Sequence, residues 1–372
     1  MKLLVTGAAG FIGQNLVATL RARRPDDELL LFDRENTRLD LDEFTSSCDF
    51  VFHLAGVNRP RDPAQFIEGN LDLTRALVES LDRHGNAAPV LMTSSTQAAL
   101  DNPYGQSKRA AEETLLAHAR GAGSEVFVYR LPNAFGKLCR PNYNSAIATF
   151  CHNAAHGLAI DVHEPDRHLT LAYIDDILDE FLRALDGLPT RSDAFHFCEI
   201  PITHEASVGA LAHAIQGFEA DRRAGVLSDR SDPLIRKLYA TYLSHLPVAE
   251  WRTKLDMKSD ARGSFTEFLR LGGSGQVSVN VTKPGITKGK HWHHTKSEKF
   301  LVVSGKGRIR LRPISGTEVI VFDVSGKELE IIEIPVGHTH DITNVGDSDL
   351  ITVMWASEPF DPARPDTYLE EV

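Results

Sequence analysis

The sequence predicts two architectures in series: an α/β domain built on a doubly wound parallel sheet, then an all-β jelly-roll barrel. Three observations carry this. Short apolar strands alternate with helix-like segments from Lys2 onward, as a parallel sheet wrapped on both faces requires. From Gly263 the pattern changes to two-residue alternation, as in Gln276–Thr282 (QVSVNVT) and Gly307–Arg312 (GRIRLR), with turns such as Lys283-Pro-Gly and Ser325-Gly between. A chain of 372 residues also exceeds what one core ordinarily supports. The change of period places the boundary near residues 245–255, giving domains 1–247 and 248–372.

Lys2–Thr6 is an apolar strand that runs straight into Gly7-Ala-Ala-Gly10-Phe11-Ile12-Gly13. A helix from Phe11 to Arg24 and a strand Leu29–Phe32 follow. Small residues in that first turn let the backbone approach a pyrophosphate, and the helix N-terminus offers it free amides. Asp33 stands about twenty residues on, where an acid takes the ribose hydroxyls of NAD; Arg34 beside it would suit the 2′-phosphate of NADP. The two residues leave that choice open. Phe50–Leu54 and Pro89–Thr93 read as further strands, with Pro63–His84 as helix between them. Asn102-Pro103 caps the next helix, and Gly121 is expected to end it. Tyr104 and Lys108 lie four apart on that helix and share a face. An ammonium beside a phenol lowers its pKa and makes it a proton donor near neutral pH. Ser94 or Ser95, at the end of the preceding strand, would hydrogen-bond a substrate carbonyl. Asp175–Leu185, Ser207–Phe218 and Asp232–Leu246 read as helices, with Asp221–Ser231 irregular.

Tyr-x-x-x-Lys alone is common by chance. Together with the glycine turn, His53-Leu54-Ala55-Gly56, Ser94-Ser95, Arg130-Leu-Pro-Asn133-Ala-Phe-Gly136 and Leu171-Ala-Tyr-Ile-Asp-Asp, it resembles the extended short-chain dehydrogenase/reductase family over residues 1–245. That resemblance implies a Rossmann-type fold. It makes Tyr104 the acid/base, Lys108 its activator and Ser95 the carbonyl partner. Contacts to the nicotinamide cofactor would come from Gly7, Gly10, Phe11, Ile12, Gly13, Asp33, Arg34, Leu54, Ala55, Gly56, Tyr104 and Lys108. Asn133 and Arg140 would touch substrate, and Lys137, Arg140 and Arg167 are the cations available to a diphosphate. One departure is informative. Sugar-nucleotide 4,6-dehydratases of this family carry an Asp-Glu pair where this chain has Thr96-Gln97. Without that acid and base, ketone reduction or 4-epimerisation fits and dehydration does not.

In the second domain the stretch Gly289–Gly305, GKHWHHTKSEKFLVVSG, places His291 and His293 two apart, hence on one face of a strand. Glu298 follows after a short turn and opens onto the apolar run Lys299–Val303. His340 follows the turn residues Pro335 and Gly337. Three imidazoles and a carboxylate suit Zn²⁺, Mn²⁺, Ni²⁺ or Fe²⁺. The spacing in both halves, through Asn344, resembles the cupin superfamily. His294 and His338 fall outside the pattern, and Trp292 and Trp355 read as packing residues.

The totals narrow the class. A net charge of −11 argues against nucleic acid and anionic membrane as partners. Cys48, Cys139, Cys151 and Cys198 have no metal or redox spacing, and no secretory or membrane-spanning segment is visible. A reduced, cytoplasmic setting is expected.

Hydride transfer and metal-assisted proton abstraction both act on a carbonyl, so one chain carrying both sites suggests one ketone handled twice. Segments HLAGVNRP, DNPYGQSK, RPNYNS and VSVNVTKPGITKGKHWHHTK are similar throughout to the CapF family of capsular-polysaccharide assembly enzymes and its O-antigen relatives. This resemblance implies a homodimeric, NADPH-dependent, zinc-containing bifunctional enzyme acting on a UDP-linked 4-ketosugar. Epimerisation at C3 precedes reduction at C4, giving UDP-N-acetyl-6-deoxy-L-talosamine, a precursor of N-acetyl-L-fucosamine. His294, Lys299 and His338 are the candidates for the C3 base. The competing readings are a nucleotide-sugar dehydrogenase or 4-epimerase with a purely structural cupin, and a non-catalytic sugar or redox sensor.

Overall fold

The computed structural model describes residues 1–372 except 61, 63, 193–196 and 364. The chain divides into two compact units, Met1–Gly217 with Pro233–Pro247, and Phe218–Asp232 with Val248–Val372. No helix among the described residues is long and apolar enough to cross a membrane.

From the start, β1 (Lys2–Thr6), α1 (Phe11–Arg23), β2 (Glu28–Phe32), α2 (Arg38–Thr45) and β3 (Phe50–His53) alternate. A single turn α3 (Ala64–Phe66) and a π-helical stretch Ile67–Asp72 then lead into α4 (Leu73–His84). The helix expected over 63–84 is thus interrupted, and its first residue, Pro63, lies outside the described residues. β4 (Val90–Ser95), α5 (Pro103–Ala122), β5 (Val126–Leu131), β6 (Asn133–Phe135), α6 (Ala146–Ala155), β7 (His168–Tyr173) and α7 (Ile174–Leu185) continue the alternation. β8 (Phe197–Cys198), β9 (His204–Ser207), α8 (Val208–Ala224) and α9 (Pro233–Ser244) follow.

The main sheet is parallel throughout, in the order β2-β1-β3-β4-β5-β8. Helices cover both faces, so β1 and β3 are apolar and buried along nearly all their length rather than alternating. Leu3, Val5, Phe50, Phe52 and Phe127 pack against Leu16 and Leu20 of α1 and Ile177 and Phe181 of α7. Leu4, Val51, Val90, Met92 and Val128 face Leu77 of α4 and Leu115 of α5 on the other side. Each such buried side chain contributes about 1.5–3 kcal/mol. α5 starts as expected: Pro103 occupies its first turn and the Asn102 carboxamide accepts the Gly105 amide at 2.8 Å. It ends two residues later than expected, because Gly123, at φ +68°, is the left-handed cap rather than Gly121.

In the second unit β10 (Lys258–Asp260), β11 (Gly263–Arg270), β12 (Gln276–Thr282), β13 (Thr287–Trp292), β14 (Glu298–Ser304) and β15 (Lys306–Pro313) are followed by β16 (Ile320–Ser325) and β17 (Ile331–Ile334). β18 (His338–Asn344), β19 (Leu350–Ala356) and β20 (Tyr368–Leu369) complete it. They form two antiparallel sheets, β10-β11-β12-β19-β14-β17 and β16-β15-β18-β13-β20. Phe300, Val302, Ile309, Leu311 and Ile342 make the apolar core between them. β12 alternates with its polar side inward: Gln276, Ser278, Asn280 and Thr282 are buried, while its valines are half-buried. A barrel that enclosed only apolar packing would bury the valines instead.

Candidate active sites

The first site is built at the ends of β1 and β3. Gly7 holds φ +70°, and a Cβ there would lie 2.8 Å from the backbone of Ala55. A side chain at residue 7 is therefore excluded twice, by its torsion and by the Leu54-Ala55-Gly56 segment lying against it. A Cβ at Gly13 would come within 2.1 Å of the Gly7 carbonyl, so α1 packs directly on the turn. Gly10 precedes α1 as its cap and offers no side chain, leaving the helix's first amides for an anion. Phe11 and Ile12 are half-buried and anchor that turn to the core. These features fit a dinucleotide's pyrophosphate. Asp33 accepts the Ala9 amide at 2.7 Å and the Arg34 amide at 2.8 Å. Both of its oxygens thus stabilise the turn, while Arg34 lines a concavity of ≈ 740 Å³ with Ala8, Ala9, Gln14 and Arg21. Arg21 is a second guanidinium there that the sequence pattern did not single out.

Tyr104 and Lys108 share a face of α5 as expected, but their electrostatics differ from the expectation. Burial raises the Tyr104 pKa, opposed by the Ser95 hydroxyl and reinforced by Tyr143. Lys108 is fully enclosed and donates to the Thr93 carbonyl at 3.2 Å. Burial pushes its pKa down to about 8, against the pull of Glu112. The phenol is therefore not pre-acidified by the lysine. The π-helical stretch turns Asn70 inward, where its carboxamide oxygen accepts the Val57 amide at 2.9 Å and its nitrogen donates to Ser107 at 3.0 Å. A Cβ on Gly56 would meet Asn70 Oδ1 and Lys108 Nζ, both at 2.8 Å. Asn70 was invisible in the sequence because the insertion of one residue into a helical turn has no composition of its own.

The two serines separate. Ser94 is buried and donates to Glu112, whose oxygens also accept Arg130 Nε at 2.9 Å and Nη2 at 2.6 Å. Ser95 is half-buried and accepts the Gln97 amide at 3.2 Å. Asn133 is exposed on β6 and donates to the Thr170 carbonyl at 3.1 Å. Arg140 is exposed in the loop before α6. Lys137 pairs with Asp175, and Arg167 with Glu164 at 3.4 Å.

The second site is the convergence of His291, His293, Glu298 and His340, whose ligand atoms all lie within 4.8 Å of one another. Ring centroids are 4.9 Å apart for His291 and His293, 4.7 Å for His291 and His340, and 5.6 Å for His293 and His340. His291 pairs with His340 across β13 and β18. His293 is not on the strand: β13 ends at Trp292, and His293 opens the turn to β14. Its Nδ1 meets the Asp366 carbonyl oxygen, which as a bond donated by the ring leaves Nε2 facing Glu298 at 3.5 Å. The Asp366 carboxylate accepts the amides of His294, Thr295 and Lys296 at 2.9–3.0 Å, fixing the turn.

Burial pushes the His291 pKa down to about 4, with His340 and His293 adding to the effect. Burial opposes ionisation of Glu298, yet His293 and His340 outweigh it and hold its carboxyl at about 2. The His293 pKa is raised: burial opposes charging but Glu298 and the Asp366 carbonyl prevail. Nε2 of His293, Nε2 of His340 and Oε2 of Glu298 are buried and make no well-formed hydrogen bond, although Glu298 Oε2 is only 3.1 Å from His340. Buried polar atoms are nearly always satisfied. Three orphaned atoms of this chemistry, converging with a fourth ligand, fit a divalent transition metal.

A pocket of ≈ 460 Å³ opens on this set and is lined also by Lys258, Asp260, Asn280, Lys288 and Phe300. None of the three expected bases lines it. His294 is exposed against Trp292 and Tyr368, Lys299 pairs with Glu333, and His338 is half-buried at the start of β18. Trp292 stacks on Tyr368 at 4.7 Å and Trp355 donates to the Ser274 carbonyl at 3.1 Å, both as packing residues.

Residues 3–193 match the NAD dependent epimerase/dehydratase family, and residues 258–368 match the polysaccharide biosynthesis C-terminal domain. The chain is 45% identical over 368 residues to a UDP-2-acetamido-2,6-beta-L-arabino-hexul-4-ose reductase of Pseudomonas aeruginosa, covering 99% of this chain and 98% of that one. Its structure is similar to that of the capsular polysaccharide assembling protein CapF from Staphylococcus aureus, with a TM-score of 0.93, 45% identity and 100% of both chains covered. A UDP-glucuronic acid 4-epimerase from Bacillus cereus, 18% identical with a TM-score of 0.54, shares the fold over 66% of this chain and 98% of its own.

Proposed function

We propose a two-step function for this chain, which belongs to the NAD dependent epimerase/dehydratase family and, over its full length, to the CapF family. Residues 248–372 invert C3 of UDP-2-acetamido-2,6-dideoxy-β-L-arabino-4-hexulose. Residues 1–247 then reduce the C4 ketone to UDP-N-acetyl-6-deoxy-L-talosamine, a precursor of N-acetyl-L-fucosamine for capsule or O-antigen. The reductase half agrees with the name of the 45% identical relative, a reductase of a UDP-linked 4-ketosugar. The chain would work as a cytoplasmic homodimer, as the family resemblance implies.

The observation that carries the epimerase half is the four ligand atoms gathered within 4.8 Å in a chain that also carries Tyr104 and Lys108. Only while C4 is a ketone is the C3 proton acidic, so inversion must come first. Bound NADPH supplies the hydride for C4. Arg21 and Arg34 suit its 2′-phosphate, because Asp33 is committed to the amides of Ala9 and Arg34. Tyr104 gives its phenolic proton to the C4 oxygen. Ser95 donates a hydrogen bond to that oxygen, since Ser94 is held by Glu112. Lys108, fixed to the Thr93 carbonyl, keeps positive charge one helical turn from the phenol. Asn133 and Arg140 contact the sugar nucleotide. Zinc held by His291, His293, Glu298 and His340 supplies Lewis acidity for the ketone in the barrel.

The test is incubation of the 4-ketosugar in D₂O without NADPH. Deuterium is expected at C3, and is expected to be lost with chelator, with His291→Ala and with Glu298→Ala. Tyr104→Phe should stop NADPH oxidation while exchange continues. Exchange that survives both chelation and the ligand substitutions would overturn the reading.

A further inference from the structure

The metal pocket contains a lysine whose place the sequence spacing conceals. Lys288 and His291 are three residues apart, so on a regular strand they would face opposite sides of the sheet. Lys290 adopts φ +61°, and the pairing of β13 with β18 slips by one residue between Gly289 and His291. This bulge restores a common face. Lys288 pairs with Ile342 and His291 with His340, two residues apart on β18, and all four line the same cavity.

The Lys288 amine donates to Asn280 Oδ1 at 2.8 Å and to the Val281 carbonyl at 2.9 Å, with a longer contact of 3.4 Å to the Ser264 carbonyl. Together the three oxygens match the three N–H groups of an ammonium; loss of the proton on the longest bond, to Ser264, keeps the two short ones and frees a lone pair. Burial favours that neutral form, Asp260 opposes it and Arg262 assists it. The pocket's other ionisable groups that are not ligands are Lys258, Asp260 and Arg262, all exposed, and the last two are paired with each other at 2.7 Å.

We propose that Lys288 is the base that takes the C3 proton of the ketosugar, an assignment that rests on the epimerase reading above. The C3–H bond breaks, its electron pair forms the C3–C4 double bond of an enolate whose oxygen takes the charge, and the proton passes to Nζ. Water then protonates C3 on its opposite face, and Lys288 releases its proton to the hydroxide so formed.

The experiment is C3 exchange in D₂O on the metal-loaded chain, without NADPH. Lys288→Met and Lys288→Arg are each expected to slow exchange by about 100-fold or more, with metal stoichiometry kept. Arginine retains the charge but is not a usable base. Lys288→Ala should regain exchange in proportion to added methylamine. A second readout needs no turnover: in the metal-free chain labelled with ¹⁵N-lysine, the side-chain resonance missing from Lys288→Met should titrate below those of exposed lysines. Near-normal exchange in Lys288→Arg would show that charge suffices, and loss of metal along with exchange would make Lys288 a support of the metal site; either overturns the assignment. A wild-type chain that exchanges nothing removes the epimerase reading itself. A wild-type chain that exchanges, with variants that do likewise, removes only the lysine.

Discussion

Replacing Lys108 by methionine should strengthen the first unit at neutral pH relative to its behaviour in base, while abolishing its chemistry. Lys108 is 4% exposed, and burial carries its pKa from an ordinary 10.5 to about 8 despite Glu112. At about 1.4 kcal/mol per pH unit, holding it charged at pH 7 costs about 3 kcal/mol, partly offset by its bond to the Thr93 carbonyl. The folded state binds fewer protons than the unfolded one between pH 8 and 10.5, so wild-type stability rises with pH in that window and gains nothing from this group below it. Lys108→Met has no such contribution. The stability difference should therefore move by about 3 kcal/mol in favour of wild type from pH 7.5 to pH 10.5. Urea unfolding followed by helical circular dichroism reads the first unit, where α1–α7 and α9 lie. Tryptophan fluorescence reads the second unit separately, because Trp251, Trp292 and Trp355 all belong to it. A stability gap that stays constant across the window would refute the account of a lysine kept charged against its surroundings.

Two further perturbations are informative. Asp366→Ala removes the acceptor for three amides and the Thr295 hydroxyl, and so frees the turn that carries His293; metal affinity measured by chelator competition should fall about 10- to 100-fold with NADPH binding unchanged. Gly7→Ala places a side chain at φ +70° and 2.8 Å from Ala55, and should lower first-unit stability by about 1–3 kcal/mol and weaken NADPH binding in a titration; a variant equal to wild type in both would contradict the close approach of the two segments.

The parallel sheet was legible because β1, β3 and β4 are apolar runs separated by amphipathic helices, and Asn102-Pro103 marked α5 to the residue. The grouping of His291, His293, Glu298 and His340 was legible from spacing, but the reason for their convergence was not. His-x-His suggested two residues on one strand, whereas His293 sits in a turn held by Asp366, more than seventy residues away in sequence. QVSVNVT was rightly a strand, yet nothing in its alternation says which face is inward. That depends on whether the barrel encloses a core or a polar cavity. The Tyr104–Lys108 pair had the right spacing and the wrong electrostatics, because i,i+4 geometry does not report how deeply each group is buried. Of the base candidates, His294, Lys299 and His338 lie outside the pocket lining, whereas Lys288, inside it, arrives there only through a bulge.

The one-residue irregularity at Lys290 also changes which mutations threaten the barrel. Substituting it leaves the chain in step. A frame-preserving loss of its codon would leave Lys288 and His291 two residues apart, on one face of a regular strand and still opposite Ile342 and His340 in β18. The unpaired position is thus where this strand can lose a residue, and not merely exchange one, while the ligand face stays turned toward the cavity.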